Sequence, residues 1–209
     1  MILKILYYAS SFSALPGLLV FLKWSEAKTN NVFKWVGLLL LGSFLSDLLG
    51  IINRWTIQMN DHFKHNFYIF YFLLIVLNLF QTHHSGTFLR YWKYILLGLI
   101  IGPIFLLGFR TFHEEISLIS NIIVLTLSIN FFIGVLNKED DIKLTDNPLF
   151  WIICVVLFNS AGGLFVNLMI TQIITSQNMA LWTINQAINI LTNLSLATIT
   201  WLYFTRMNN

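Results

Sequence analysis

Apolar residues run along the whole chain in long blocks separated by short polar connections, and those blocks set the expected architecture. Seven can be drawn, at about 3–22, 36–53, 67–81, 94–109, 115–136, 149–174 and 180–204. Each approaches the roughly 17 to 25 residues that a helix needs to cross a hydrocarbon core, the shorter ones being extended by interfacial residues. None shows the apolar and polar alternation of a barrel strand. In hydrocarbon every backbone N–H and C=O must be satisfied within the structure, so the segments are predicted to be helices. The expected fold is an all-α membrane protein, one bundle of seven transmembrane helices over residues 1–209. The tryptophans agree with these boundaries: Trp24, Trp35, Trp55, Trp92, Trp151, Trp182 and Trp201 all fall at or near a predicted span end. There an indole can keep its N–H among lipid headgroups.

Orientation follows from the Lys and Arg residues on alternate connections. One side collects Lys23, Lys28, Lys34, Arg90, Lys93, Lys138, Lys143 and Arg206, and the other Lys4, Arg54, Lys64 and Arg110. The richer side is expected in the cytoplasm, which puts the N-terminus outside and the C-terminus inside a multi-pass protein of the cell (inner) membrane. Lys4, at the start of the first span, pulls the other way. ILYYAS makes a short h-region and Ser11-Phe12-Ser13 a poor cleavage site, so the first segment reads as a span and not as a signal peptide.

Composition strengthens this picture. With 57% hydrophobic and 10% charged residues and a mean hydropathy of +0.74, the chain departs far from the roughly 25% charged content of soluble domains. The net charge of +3 is spread singly between apolar segments, with no basic stripe to track a nucleic acid backbone. A single cysteine, Cys154, allows neither an intrachain disulfide nor a thiolate zinc cluster. The most polar connection, NKEDDIKLTDNP from Asn137 to Pro148, ends in an Asn-Pro turn signal and reads as a solvated linker. Pro16, Pro103 and Pro148 do not occupy matching positions, so no repeat of three spans is visible.

Against so apolar a background the polar residues inside spans stand out, Asp47 above all. It is the one Asp, Glu, Lys, Arg or His that falls deep in a predicted span, and an intramembrane carboxyl is expected to serve a function or to be held in a hydrogen-bonded structure. It lies about six residues, or roughly 9 Å, below the outer end of span two. Ser10, Ser11 and Ser13, Tyr71, Asn121, Asn167, and Asn185 with Asn189 lie at similar depth on their own spans. Ser43, Asp47 and Gly50 share one helical face, as do Asn159, Gly163 and Asn167, and Asn185, Asn189 and Asn193. If these faces converge they form a polar layer, either a ligand pocket or the hydrogen-bonded glue that joins transmembrane helices. Arg54, seven residues on from Asp47 and on nearly the same face, is a stretched candidate partner. A protonated Asp47 could donate to an Asn or carry a proton.

The histidines avoid the spans. Asp61, His62 and His65 in the second connection share the expected outer face with His113, Glu114 and Glu115. Imidazole and carboxylate can hold zinc or a related ion, although the same residues on short loops also read as solvated surface. His83-His84-Ser85 falls on the opposite side with no acidic partner nearby.

The Ser43 to Asp47 segment in the second span and the Asn66-Phe67-Tyr68 to Tyr71 run opening the third resemble small seven-span bacterial integral membrane proteins. The resemblance covers the first third of the chain and implies the span count, with no activity attached. Better-known seven-span families need residues that are missing here. A retinal protein needs a lysine in the last span, and Ala180 to Phe204 has none. Alkaline ceramidase-like and adiponectin-receptor-like hydrolases and rhomboid-like proteases need intramembrane histidines, which the predicted spans lack. Neither the Pro-Gln pairs of seven-span sugar carriers nor the Trp-x-x-Trp pattern expected of nicotinamide riboside carriers occurs.

The expected function is that of an integral membrane sensory, binding or accessory protein with an outward-facing polar pocket. The residues expected there are Asp47, Asn121, Asn167, Asn185, Asn189, Tyr71 and Arg54. One alternative is a small-solute or proton-coupled transporter using Asp47 and the asparagines. The other is a metal-dependent membrane hydrolase with His62, His65 and His113 as ligands. An enzyme would have to rest on Asp47 alone or on loop residues, so a non-enzymatic role is preferred and no cofactor is implied. The expected partners are membrane lipids, with a small-molecule ligand, a partner membrane protein or a second copy of the chain.

Overall fold

Among the residues that the computed structural model describes, 2–23, 30–56, 62–83, 94–98, 102, 114–137, 146–176 and 179–207, the backbone is helical apart from short turns, and no strand occurs. Seven helices carry the fold: α1 (Ile2–Phe12), α2 (Leu15–Lys23), α3 (Asn31–Thr56), α4 (His62–His83), α5 (Glu114–Leu136), α6 (Pro148–Ser176) and α7 (Met179–Met207). Five segments are long and apolar enough to cross a membrane: Ile5–Lys23 (α1 with α2), Asn31–Ile52, Glu115–Leu136, Pro148–Met169 and Thr183–Arg206. A shorter apolar helix, Asn66–Thr82, adds to them. Of the expected span at 94–109, residues 94–98 and 102 are helical and the rest lie outside the described residues.

The helices close a ring in which α3 packs on α4, α4 on α5, α5 on α6 and α6 on α7, with α1 and α2 bridging α7 to α3. The surface of this ring is the reverse of a soluble protein's. Along α3 from Leu41 to Ile52, Leu41, Leu45, Leu49 and Ile52 are exposed, while Ser43, Ser46 and Asp47 are buried. On α7 Leu191, Leu194 and Leu202 are exposed, while Thr192, Asn193 and Thr200 are buried. An apolar stripe outside and polar side chains inside is the arrangement expected when lipid is the solvent.

Two helix starts have visible causes. Asn30 accepts from the Val32 and Phe33 amides at 3.0 and 3.4 Å, capping α3. The Asn-Pro signal proves to be the start of α6: Asn147 accepts from the Leu149 amide at 2.9 Å, and Pro148 takes the first helical position, where its missing N–H has no cost. Replacing Asn30 by alanine is expected to lower stability by about 1 kcal/mol, readable as a shifted midpoint in a reversible detergent unfolding titration. An unchanged midpoint would show that the first turn of α3 does not depend on this cap.

Two details differ from the sequence expectation. The first span is a broken helix, with a turn at Ser13 and Ala14. Pro16 explains the break, because its ring excludes the carbonyl four residues back and it has no N–H to donate. The second connection is shorter than expected, because α3 runs on to Thr56 and α4 begins at His62. His62 and His65 therefore belong to the start of a helix. Polar residues can extend a helix past the hydrocarbon boundary, and such an extension leaves no apolar signal.

Candidate functional site

The break in the first span is where the buried polar structure begins. Ser13 turns back on α1, its amide donating to the Ser10 carbonyl at 3.1 Å and its hydroxyl donating to the same oxygen at 2.6 Å. The Ser10 carbonyl, at the break, is thereby served twice by Ser13. Ser10, Ser11 and Ser13 are all buried, so two of the hydroxyls, Ser10 and Ser13, are presented to neighbouring helices.

Those hydroxyls meet α7. The Asn189 amide donates to Ser10 Oγ at 2.9 Å and to Asp47 Oδ2 at 3.4 Å. One turn on, the Asn193 amide donates to Ser13 Oγ at 2.8 Å, to Ser43 Oγ at 3.3 Å and to Asn189 Oδ1 at 3.3 Å. Asn189 and Asn193 share a face because they are four residues apart, and so do Ser43 and Asp47 on α3. The result is two rungs, Ser10–Asn189–Asp47 and Ser13–Asn193–Ser43, joining α1, α7 and α3. A third link extends the layer across the ring: Thr192 donates to Asn159 Oδ1 on α6 at 3.2 Å. Tyr68 of α4 lies near the Asn159 side chain and within electrostatic reach of Asp47.

Asp47 is the one Asp, Glu, Lys or Arg whose side chain is buried among the described residues. Holding a carboxyl away from water is costly unless donors face it. One donor to it is a neutral amide, that of Asn189, with a second acceptor to serve. The 3.4 Å contact is longer than the roughly 2.7–3.2 Å of an ordinary N–H···O bond, so it is the weak link of its rung. Ser46, next to Asp47 in sequence, is 2% exposed, and its hydroxyl has no hydrogen-bond partner among the described residues.

The other expected site residues are dispersed. Asn167 donates to Ser117 Oγ at 2.8 Å, tying α6 to α5. Asn121 lies against Gly163 of α6, where a Cβ would come within 3.1 Å of its amide atoms. These two form a separate polar seam between α5 and α6. The Tyr71 hydroxyl donates to the Leu38 carbonyl on α3, and its ring covers Gly42, so it belongs to the α3–α4 packing. Asn185 is half-buried and is not hydrogen-bonded to the Asp47 layer among the described residues. Arg54 lies in α3 with its side chain outside the described set, as do the side chains of His62 and His65, while Asp61 and His113 lie outside it altogether. No group of three metal-ligating side chains gathers among the described residues. Tyr68 was not among the residues expected in the layer. Its signal was its place one turn before Tyr71, on nearly the same face of α4.

Among the described residues the surface carries grooves that the Asp47 layer does not line. One, of about 350 Å³, runs between α2 and α3 along Leu18, Phe21, Leu22 and Leu41. Another, of about 700 Å³, lies at the opposite end of the bundle from Asp47, between the start of α6 and the end of α7. No protein-family model matches the chain, and no curated protein or solved structure matches it either.

Proposed function

We propose that this membrane protein is a sensory, binding or accessory component of the cell membrane, spanning it seven times with the Asp47 end outside, and that the layer around Asp47 is its working centre. The observation that carries the reading is the shared amide of Asn189. It reaches a buried carboxyl through a long 3.4 Å contact while serving Ser10 at 2.9 Å. A polar group from a small solute or from a partner helix can replace that long contact at little cost and gain a charge-assisted bond to Asp47. The unpartnered Ser46 hydroxyl adds a buried group that such a guest would satisfy, since leaving it unmade costs about 1–3 kcal/mol. Because α7 supplies both asparagines, a guest at Asp47 acts directly on how α7 is held against α1 and α3. That is a route from binding to a signal in the membrane.

The test compares wild type with Asp47→Asn, each purified from its own membranes in mild detergent and examined by mass spectrometry for co-purifying molecules. Asparagine keeps the shape and an acceptor oxygen, so the variant is expected to stay folded, with stability changed by no more than about 1 kcal/mol. The expected result is a stoichiometric small molecule or membrane protein retained by wild type and lost from Asp47→Asn. Identical co-purifying species in both would sink the binding reading. Proton uptake into proteoliposomes that depends on Asp47 would replace it with a carrier.

A further inference from the structure

The groove between α6 and α7 has a charged end and an apolar end. Asp146 and Arg206 stand at one, and Trp151, Ile199 and Leu202 line the rest. On α7 the spacing of Ile199, Leu202, Tyr203 and Arg206 is i, i+3, i+4, i+7, one stripe along the helix. Arg206 therefore lies about 10 Å along the axis from Ile199. The charged end is also at the polar edge of the bundle. Arg206 closes the apolar span Thr183–Arg206, and Pro148 opens the span Pro148–Met169 just after Asp146. At the same level the Lys23 ammonium, at the end of the first span, lies 5.0 Å over the Trp201 ring. Lys, Arg, Trp and Tyr at this depth are what a headgroup boundary selects.

Among the described residues that line the slot, one cation, Arg206, and one anion, Asp146, stand at its polar end. Both side chains are exposed, and no ion pair joins Asp146 to Arg206 among the described residues. The slot itself is open, with Trp151 44% and Leu202 48% exposed. This is the electrostatic complement of a zwitterionic headgroup carried on an acyl chain. A guanidinium takes phosphate oxygens in paired hydrogen bonds, and a carboxylate accepts N–H bonds from an ammonium. A primary amine can donate those bonds and a quaternary amine cannot. An anionic headgroup without an amine would keep the Arg206 contact but leave Asp146 beside its phosphate with no ammonium to accept from.

We propose that the α6–α7 groove is a binding site for a phospholipid with a primary-amine headgroup, phosphatidylethanolamine in chemical class. Arg206 holds the phosphate, Asp146 holds the ammonium, and an acyl chain lies along Trp151, Ile199 and Leu202. The site is separate from the Asp47 layer and does not depend on its role.

The experiment is native mass spectrometry of the full chain in detergent, with equal amounts of phosphatidylethanolamine, phosphatidylcholine and phosphatidylglycerol added. Wild type is expected to retain the ethanolamine lipid about tenfold more than the choline lipid, the effect of one charge-assisted hydrogen bond, and more than the glycerol lipid. Asp146→Asn should level ethanolamine and choline lipids, while Arg206→Gln should lower retention of all three. Leu202→Trp, which fills the slot and leaves both charges, should lower retention of all three as well. Equal retention of ethanolamine and choline lipids by wild type would overturn the proposal without any variant. So would a preference for the glycerol lipid, or an ethanolamine preference that survives Asp146→Asn.

Discussion

Gly42→Ala is expected to destabilise the bundle by about 1.5–4.5 kcal/mol, from overpacking at about 1–3 and a lost hydrogen bond at about 0.5–1.5 kcal/mol. A Cβ at Gly42 would fall within the Tyr71 ring, on its Cε1 and Cδ1 atoms. The ring cannot simply tilt aside, because its hydroxyl is anchored on the Leu38 carbonyl of the same helix, α3. Moving it separates α3 from α4, which pack against each other. Tyr71→Phe alone should cost only about 1 kcal/mol, since the ring stays and the hydroxyl goes. Gly42→Ala combined with Tyr71→Ala should be less harmful than the sum of the two, because removing the ring removes the clash. Reversible unfolding in mixed micelles measures all four proteins. A Gly42→Ala variant within about 0.5 kcal/mol of wild type would mean that the ring has another place to lie.

Tyr71 also shows what could and could not be read ahead of the structure. The helical character and approximate bounds of the described spans follow from block length, because hydrocarbon thickness imposes a length on every span and leaves the backbone one way to satisfy itself. Depth follows in part: counting inward from a span end places Ser10, Asp47 and Asn189 at one level, where they meet, whereas Tyr71, expected there too, lies over a turn away along α3, against Gly42 and Leu38. Rotation about the helix axis does not follow from depth. Whether a side chain at that level faces Asp47, a neighbouring helix or lipid depends on how each helix is packed, and packing is settled by close approaches such as Tyr71 over Gly42. Asn189 and Asp47 proved to meet, whereas Asn121 and Asn167 at the same level turn to the α5–α6 seam.

The break at Pro16 was open to prediction, because a proline inside an apolar block has one usual consequence. What it does for Ser10 and Ser13 was not, since presenting two hydroxyls to α7 requires the turn that follows the break. The α6–α7 groove left no trace in the pattern of apolar positions. It is a gap between neighbours, and only the relative placement of Trp151, Leu202 and Arg206 reveals it.

Asn193→Ala is the second large effect expected, and it separates a working layer from a merely polar one. The single amide of Asn193 has two hydrogens facing three acceptors, Ser13 Oγ, Ser43 Oγ and Asn189 Oδ1. Bonds between transmembrane helices contribute about 0.6 kcal/mol on average and up to about 1.7 kcal/mol. Truncation to alanine removes all three contacts and leaves a small cavity, for a loss of about 2–3 kcal/mol. A double-mutant cycle with Ser13→Ala isolates the strongest of them, the 2.8 Å bond, with an expected coupling of about 1 kcal/mol. Asn185→Ala, two turns earlier on the same helix and not hydrogen-bonded to the layer among the described residues, is the control and should cost much less. Equal losses for Asn185→Ala and Asn193→Ala, or a cycle with no coupling, would show that α7 is held by apolar packing alone. The functional consequence follows from the link between the asparagines. Asn193 donates to Asn189 Oδ1 and so keeps the other side of that amide turned to Ser10 and Asp47. Asn193→Ala should therefore weaken whatever wild type retains through Asp47, even though Asn193 does not itself touch the carboxyl among the hydrogen bonds described.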